Sequence, residues 1–193
     1  MAVYTLFGQA VGERGVITQD ASPYTLGVQF SVSQAIPLTG IWFYSGSGAT
    51  ALPAECVIFD ADTQTQVGST LNTSATWSGA AGSGWVKCAY SGSASLSAGI
   101  HYVAAVFYNS TGAYWYSDTN TSGFWTTGPG ASGVTNGPLS APNSASALNG
   151  QALYNAGSGL TFPASSVSGY DFGVDVEVTT PPEAPSLLMA CFP

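Results

Sequence analysis

The sequence predicts an all-β protein that folds as one antiparallel β-sandwich, jelly-roll-like. Short apolar segments recur along the chain, and apolar and polar residues alternate within several of them, as in strands with one buried face. Gly, Ser, Asn and Pro, which favour turns, separate these segments. Since no segment repeats its apolar residues with the helical period of about 3.6, a sandwich or barrel is the expected architecture.

The composition fits one globular domain. Of the 193 residues, 45% are hydrophobic and 12% are aromatic, which is more than disordered chains carry. Only 6% are charged, against about 25% in ordinary globular proteins, so uncharged polar residues supply most of the hydrophilic surface. No apolar stretch approaches the ~18 residues that span a bilayer as a helix, so we expect no membrane insertion.

The charge balance argues against two classes of partner. The formal net charge is −8, and Arg14 and Lys87 are the only two basic residues. Binding to a phosphate backbone depends on several basic side chains that displace counterions. We therefore expect neither nucleic acid nor an anionic membrane surface as a partner.

Residues 101–108 form the strongest predicted strand. Both of its faces are apolar, which is typical of a central strand covered on both sides. Residues 113–117 are expected to pair with it through a short turn, and residues 66–73 are predicted as a further strand. A last strand is expected at residues 174–178, half-exposed because two acidic residues alternate there with three valines.

The chain divides into three parts. Residues 1–24 are predicted as an N-terminal arm and first strand, residues 25–178 as the sandwich domain, and residues 179–193 as a Pro-rich C-terminal tail. The tail ends in an apolar stretch, which indicates docking on a neighbouring subunit; the alternative is a frayed chain end. Its candidate assembly residues are Leu187, Leu188, Met189 and Phe192.

The cysteines and acidic residues are candidates for a cross-link or a metal site. Cys56 and Cys88, both predicted within strands, either pair across two strands or remain two buried thiols that pack as small apolar side chains. Asp60 and Asp62 present alternating oxygen atoms of the kind that calcium binds, but the same residues are equally typical of a hairpin turn. We expect no resident metal and no cofactor.

The sequence contains no recognisable catalytic motif. His101, the only histidine, stands at a predicted strand start among apolar neighbours, where a structural role is expected. The carboxylates that a glycosidase would need lie mostly at predicted strand ends or alternate outward, where they face water. We therefore expect a protein that binds rather than an enzyme.

The candidate binding residues are mostly aromatic and flank a long polar segment at residues 118–150. They are Tyr114, Trp115, Tyr116, Asp118, Phe124 and Trp125. Flat aromatic faces beside amides and carboxylates suit sugar rings, so the pattern predicts contact with a glycan or a partner protein. The competing interpretation is that these rings fill the core or pack between subunits. Trp42, Trp77 and Trp85 are expected in the core or between the sheets.

Many short landmarks keep an order and spacing shared with a known family. They fall at residues 4–8, 26–30, 38–46 (LTGIWFYSG), 84–86, 96–104 (LSAGIHYVA), 137–142, 154–155, 162–163 and 174–176, with Tyr170 between the last two. Over about residues 4–178 the chain resembles a bacterial β-sandwich domain family of unassigned function, found in actinobacterial secreted proteins and in phage virion proteins. The resemblance implies a jelly-roll-like sandwich similar to galactose-binding modules, and it supplies no catalytic residues.

Two functions are expected. The first is a non-catalytic structural or adhesive protein of a phage virion, such as a capsid decoration, head-fibre or minor tail protein, that docks on other virion proteins or on copies of itself. The alternative is a carbohydrate-binding module of a secreted or cell-surface bacterial protein. Residues 1–7 lack the basic and apolar segments of a secretory signal. If Met1 is the native start, this favours assembly in a host cytoplasm and a virion location over an extracellular one.

Overall fold

The fold is built from β-strands. A computed structural model describes residues 1–8, 16–19, 22–90, 94–109, 114–117, 124–167 and 170–180, with only the backbone described at 16–19 and 114–117. The strands are Val3–Thr5 (β1), Val16–Gln19 (β2), Tyr24–Val32 (β3), Ile36–Ser45 (β4), Glu55–Asp60 (β5), Gly84–Ala89 (β6), Ser95–Leu96 (β7), His101–Tyr108 (β8), Tyr114–Ser117 (β9), Val134–Asn136 (β10), Leu139–Ala141 (β11), Leu153–Ala156 (β12), Ser165–Ser166 (β13) and Val174–Thr179 (β14). Within these ranges no helix is long and apolar enough to cross a membrane.

Two sheets pack face to face around one main core. The front sheet has the order β1-β14-β4-β6, and β7 also pairs with β4. In the back sheet β5 pairs with β8, β8 with β3, and β3 with both β11 and β12, which continue to β10 and β13. β2 and β9 form a separate pair. Adjacent strands run antiparallel in every ladder of both sheets, which confirms the predicted all-β, antiparallel sandwich.

Alternate residues of facing strands fill the core. Ile41, Phe43 and Val176 come from the front sheet and are fully buried. Phe30 and Tyr108 come from the back sheet, and the rings of Phe43 and Tyr108 meet edge to face with centroids 5.6 Å apart. Burial of each large apolar side chain stabilises the fold by about 1.5–3 kcal/mol, so the strand alternation in the sequence is what holds the two sheets together.

β8 is covered on both faces, as predicted. Ala104 and Val106 point into the main core. Val103 and Ala105 belong to a second apolar cluster on the outer side of the back sheet, where Phe162 packs against it. A strand buried in this way is the most protected part of a sheet, so β8 anchors the back sheet.

One predicted pairing and one predicted strand are wrong. Residues 113–117 do not form a hairpin with β8, because β9 pairs with β2 instead. Residues 66–73 are not a strand and make only isolated bridges. There the Thr70 hydroxyl donates to the carbonyl three residues earlier at 2.7 Å, and Gly68 has a φ of +48°, so the chain turns instead of extending.

β14 is buried on both faces, although the sequence predicts a half-exposed strand. Val174, Val176 and Val178 point into the core as expected. On the other side Asp175 is fully buried and Glu177 is 6% exposed. Buried carboxylates need donors or cations close by, and segments distant in the sequence supply them.

Candidate docking surface

Both described ends of the chain meet at one edge of the front sheet. β1 is the edge strand and pairs with β14, with Val3 opposite Thr179. The Thr180 amide donates to the Ala2 carbonyl at 3.0 Å, and the Ala2 amide donates to the Thr180 hydroxyl at 3.2 Å. The chain continues from Thr180 into the predicted tail, so the tail begins at this edge.

This edge also exposes apolar side chains. Met1 is 86% exposed and Val3 is 60% exposed; of the large hydrophobic side chains in the described ranges, only Leu71 and Leu148 are also exposed. An edge strand offers backbone donors and acceptors to a further strand on its open side. We call β1, Met1 and Thr180 together the terminal edge.

Asp175 fastens the N-terminal segment to β14. Its carboxylate accepts hydrogen bonds from the amides of Leu6 at 2.8 Å, Phe7 at 3.1 Å and Val176 at 2.6 Å. These donors favour the charged form, but complete burial outweighs them and, with the nearby Asp171 carboxyl, raises the pKa of Asp175 to about 7. The Asp175 carboxyl group thus helps to hold the chain where it leaves the terminal edge.

Phe7 continues this attachment by aromatic packing. Its ring centroid lies 6.0 Å from that of Phe124 and 5.9 Å from that of Trp125. Phe124 is 5% exposed and Trp125 is 1% exposed. Both therefore pack as core residues, in agreement with the interpretation that these rings fill the core, and their faces are not open to a glycan.

The other predicted site residues lie outside the described side chains. In the aromatic set these are Tyr114, Trp115, Tyr116 and Asp118. In the tail they are Leu187, Leu188, Met189 and Phe192. Their contact roles stay predictions.

A cluster of polar side chains covers the outer side of the front sheet. Glu177 accepts hydrogen bonds from Trp42 Nε1 at 3.0 Å, from Thr39 Oγ1 at 2.8 Å and from Lys87 Nζ. The Lys87 ammonium also lies 5.9 Å from the centroid of the Trp42 ring, in cation–π range. Burial opposes ionisation of Glu177, but the bonds from Lys87, Thr39 and Trp42 outweigh it and lower the pKa of this carboxyl. We call these four residues the outer polar cluster.

Two tryptophans lie on this outer side. Trp42 is opposite Lys87 in the ladder and Tyr44 is opposite Trp85, and these residues alternate with fully buried core positions. The rings of Tyr44 and Trp85 meet edge to face at 5.4 Å. Both tryptophans are half-buried, and Trp85, like Trp77, packs against the main core as expected. Trp42 lies on the outer side, which corrects its expected core location. The sequence alone does not reveal the outer location of Trp42, because a tryptophan in an alternating strand has the same local pattern on either face.

Replacing Lys87 with Met is expected to lower the free energy of unfolding by about 2 kcal/mol, because the largely buried Glu177 carboxylate loses its cation. Adding Glu177→Gln to Lys87→Met should restore part of that loss, since no charge then stays uncompensated. Urea unfolding at pH 7 of the wild type, both single variants and the double variant measures the coupling. Strictly additive effects would show that the two side chains do not stabilise one another.

The Asp60–Asp62 segment forms a hairpin turn. Asp60 Oδ1 accepts hydrogen bonds from the amides of Asp62 and Thr63, each at 2.9 Å. Asp62 lies beside the half-exposed His101, 3.4 Å from its Nδ1. In the part of the chain that the structure describes, no group of three or more His, Cys, Asp or Glu residues could hold a metal ion.

A comparison with known families places most of the sandwich in one of them. A family model described as Domain of unknown function (DUF4082) matches residues 10–174. The matched range begins before β2 and ends at the first residue of β14, so it contains the sandwich apart from β1 and most of β14. No curated protein matches the chain.

Proposed function

The chain belongs to the DUF4082 family of domains of unknown function, and we propose that it is a non-catalytic docking module that attaches to its assembly through the terminal edge. The observation that carries the proposal is the meeting of both described chain ends at one edge, where Met1 and Val3 are exposed beside the start of the apolar-ended tail. Exposed apolar side chains beside an edge strand are the features that bind a second protein surface.

The assembly in this proposal is a phage virion, in which the module is a capsid decoration, head-fibre or minor tail protein. Its partners are other virion proteins or copies of itself. The chain carries 6% charged residues with a net charge of −8, which keeps it soluble without a strong basic patch that would capture nucleic acid. Because a symmetric particle repeats the same contact many times, a small edge is enough for firm attachment.

Mass spectrometry of density-purified particles from the source culture tests this setting. We expect the chain in a fixed number of copies per particle, and that number separates a capsid location from a tail location. A chain that is absent from the particles and found in the soluble or cell-wall fraction would overturn the virion setting.

A second candidate function is glycan binding by the outer side of the front sheet. Trp42 and Trp85 are half-buried there beside the charged Lys87 and Glu177. Aromatic faces next to hydrogen-bonding groups are what sugar rings stack on. A glycan array with the wild type, Trp85→Ala and the distant control Leu148→Ala tests it: binding lost only in Trp85→Ala supports a glycan site, and no wild-type binding rejects it.

A further inference from the structure

Cys56 and Cys88 face each other across the interface between the two sheets. Cys56 lies in β5 of the back sheet and Cys88 in β6 of the front sheet. Both side chains are fully buried in the main core, and both are free thiols. The two residues are buried and belong to different sheets.

Asn72 brings the two cysteines together. Its amide donates to the Cys56 carbonyl at 2.8 Å, and its carbonyl accepts the Cys56 amide at 3.1 Å. Its side-chain Nδ2 donates to the Cys88 sulfur at 3.1 Å. Asn72 therefore contacts both cysteines, Cys56 through its backbone and Cys88 through its side chain.

The two thiols differ in acidity. The hydrogen bond from Cys56, assisted by those from Thr76 and Asn72, outweighs burial and lowers the pKa of Cys88 to about 7. The neighbouring Cys88 and burial raise the pKa of the Cys56 thiol well above its ordinary value. The lowered pKa of Cys88 favours its thiolate, which is the form that attacks a disulfide.

We propose that Cys56 and Cys88 form a cross-link site, which an oxidising environment converts into a disulfide between the two sheets. The oxidant is a low-molecular-weight disulfide. The Cys88 thiolate attacks one of its sulfurs, forms a mixed disulfide and releases a thiolate. The Cys56 thiol then gives its proton to that released thiolate. The resulting Cys56 thiolate attacks the Cys88 sulfur of the mixed disulfide and displaces the other half of the small disulfide as a second thiolate. The two cysteines lose two electrons, and the small disulfide becomes two thiols once the second thiolate takes up a proton.

The connection between β5 and β6 controls access to the pair. β5 and β6 are edge strands on the same side of the sandwich, and the connection bridges to Cys56 through Asn72 and to Cys88 through Trp77. Irregular connections at a sheet edge open at lower free energy than central strands. The oxidant therefore reaches the sulfurs when this connection opens, or while the chain folds.

The cross-link would stabilise the folded state. Thiols stay reduced in a cytoplasm and oxidise outside it, so a chain folded inside a cell would gain the bond on release. The bond closes the loop from Cys56 to Cys88 and so lowers the conformational entropy of the unfolded chain. We expect the melting temperature to rise by about 10 °C on oxidation.

The sequence allows a direct test by trypsin digestion. Trypsin cleaves after basic residues, and cleavage after Lys87 separates fragment 15–87, which holds Cys56, from fragment 88–193, which holds Cys88. The full chain is used with Cys191→Ser, so that no third cysteine competes. It is refolded in oxidised or in reduced glutathione buffer, which exposes both sulfurs to the oxidant, then melted and digested without reductant.

We expect the two fragments to stay joined after oxidative refolding and to separate on reduction, with the higher melting temperature in the oxidised sample. Adding Cys56→Ala to the same chain should give separate fragments and one melting temperature under both conditions. Separate fragments after oxidative refolding would overturn the cross-link site. A joined protein that melts no higher than the reduced one would overturn it equally, because the bond would then oppose the native packing of the sheets.

Discussion

Asp175→Ala is expected to lower the free energy of unfolding by about 3–5 kcal/mol and to release the N-terminal segment from β14. The amides of Leu6 and Phe7 would lose their acceptor within a buried region, and each unsatisfied buried donor costs about 1–3 kcal/mol. Urea unfolding measures the loss, and hydrogen exchange at these two amides reports the release. An unchanged exchange rate at Leu6 and Phe7 would show that Asp175 does not hold the segment.

Asp175→Asn separates the effect of the charge from that of the hydrogen bonds. The folded-state pKa of about 7 lies above the ordinary value of 3.8, so the folded protein holds this proton more tightly than the unfolded chain. The resulting stabilisation is complete below the ordinary pKa and is lost as the pH rises through about 7. Between pH 4 and pH 8, the contribution of Asp175 to the free energy of unfolding of the wild type should fall by on the order of 4 kcal/mol.

The Asn variant cannot ionise and should lack this decline. Thermal melts of the wild type and Asp175→Asn across pH 4–8 compare the two directly. Parallel curves would mean that Asp175 is ionised in the folded state throughout this range, and that the N-terminal amides outweigh its burial.

Trp125→Ala is expected to lower the free energy of unfolding by about 3–5 kcal/mol, because it leaves a large cavity in a closely packed cluster. Trp125 is 1% exposed, and its ring lies 4.9 Å from that of Phe124 and 5.9 Å from that of Phe7. A Cβ atom at Gly130 would come within 2.8 Å of the same ring, so there is little room for the cluster to adjust.

Trp42→Ala provides the matched control for Trp125→Ala. Trp42 is half-buried on the outer side of the front sheet, so its replacement should cost less than half as much. Urea unfolding of both variants decides between the core and the surface roles of these tryptophans. A larger loss in Trp42→Ala than in Trp125→Ala would reverse the assignment.

Local alternation was enough to predict several strands with their bounds. Residues 101–108 form a strand at the predicted positions, because they are a short apolar run bounded by turn residues, and the last strand begins at residue 174 as predicted. The pairing of the strands could not be predicted in this way, because the same alternation occurs in every strand and does not specify which strand lies beside it. The pairing of β9 with β2, rather than with β8, depends on segments that lie far apart in the sequence.

The same limit explains the errors at the candidate site. The outward direction of Asp175 and Glu177 follows from alternation. Their burial depends on partners that are distant in the sequence, namely the amides of the N-terminal segment for Asp175 and the cation of β6 for Glu177. Likewise, an aromatic pair beside a polar loop has the same sequence pattern in a binding platform and in a core. Only Phe7, which reaches Trp125 across the fold, distinguishes the two.

In the proposed function, the terminal edge docks the module on its particle. Tagged full-length chains, supplied in trans during particle growth, are counted per purified particle by quantitative mass spectrometry. Val3→Asp places a charge on the exposed edge, and Leu148→Asp places one on an exposed apolar residue elsewhere. We predict at least a tenfold loss of copies for Val3→Asp, with wild-type copies for Leu148→Asp and unchanged melting temperatures for both. Equal incorporation of the two variants would contradict docking through the terminal edge.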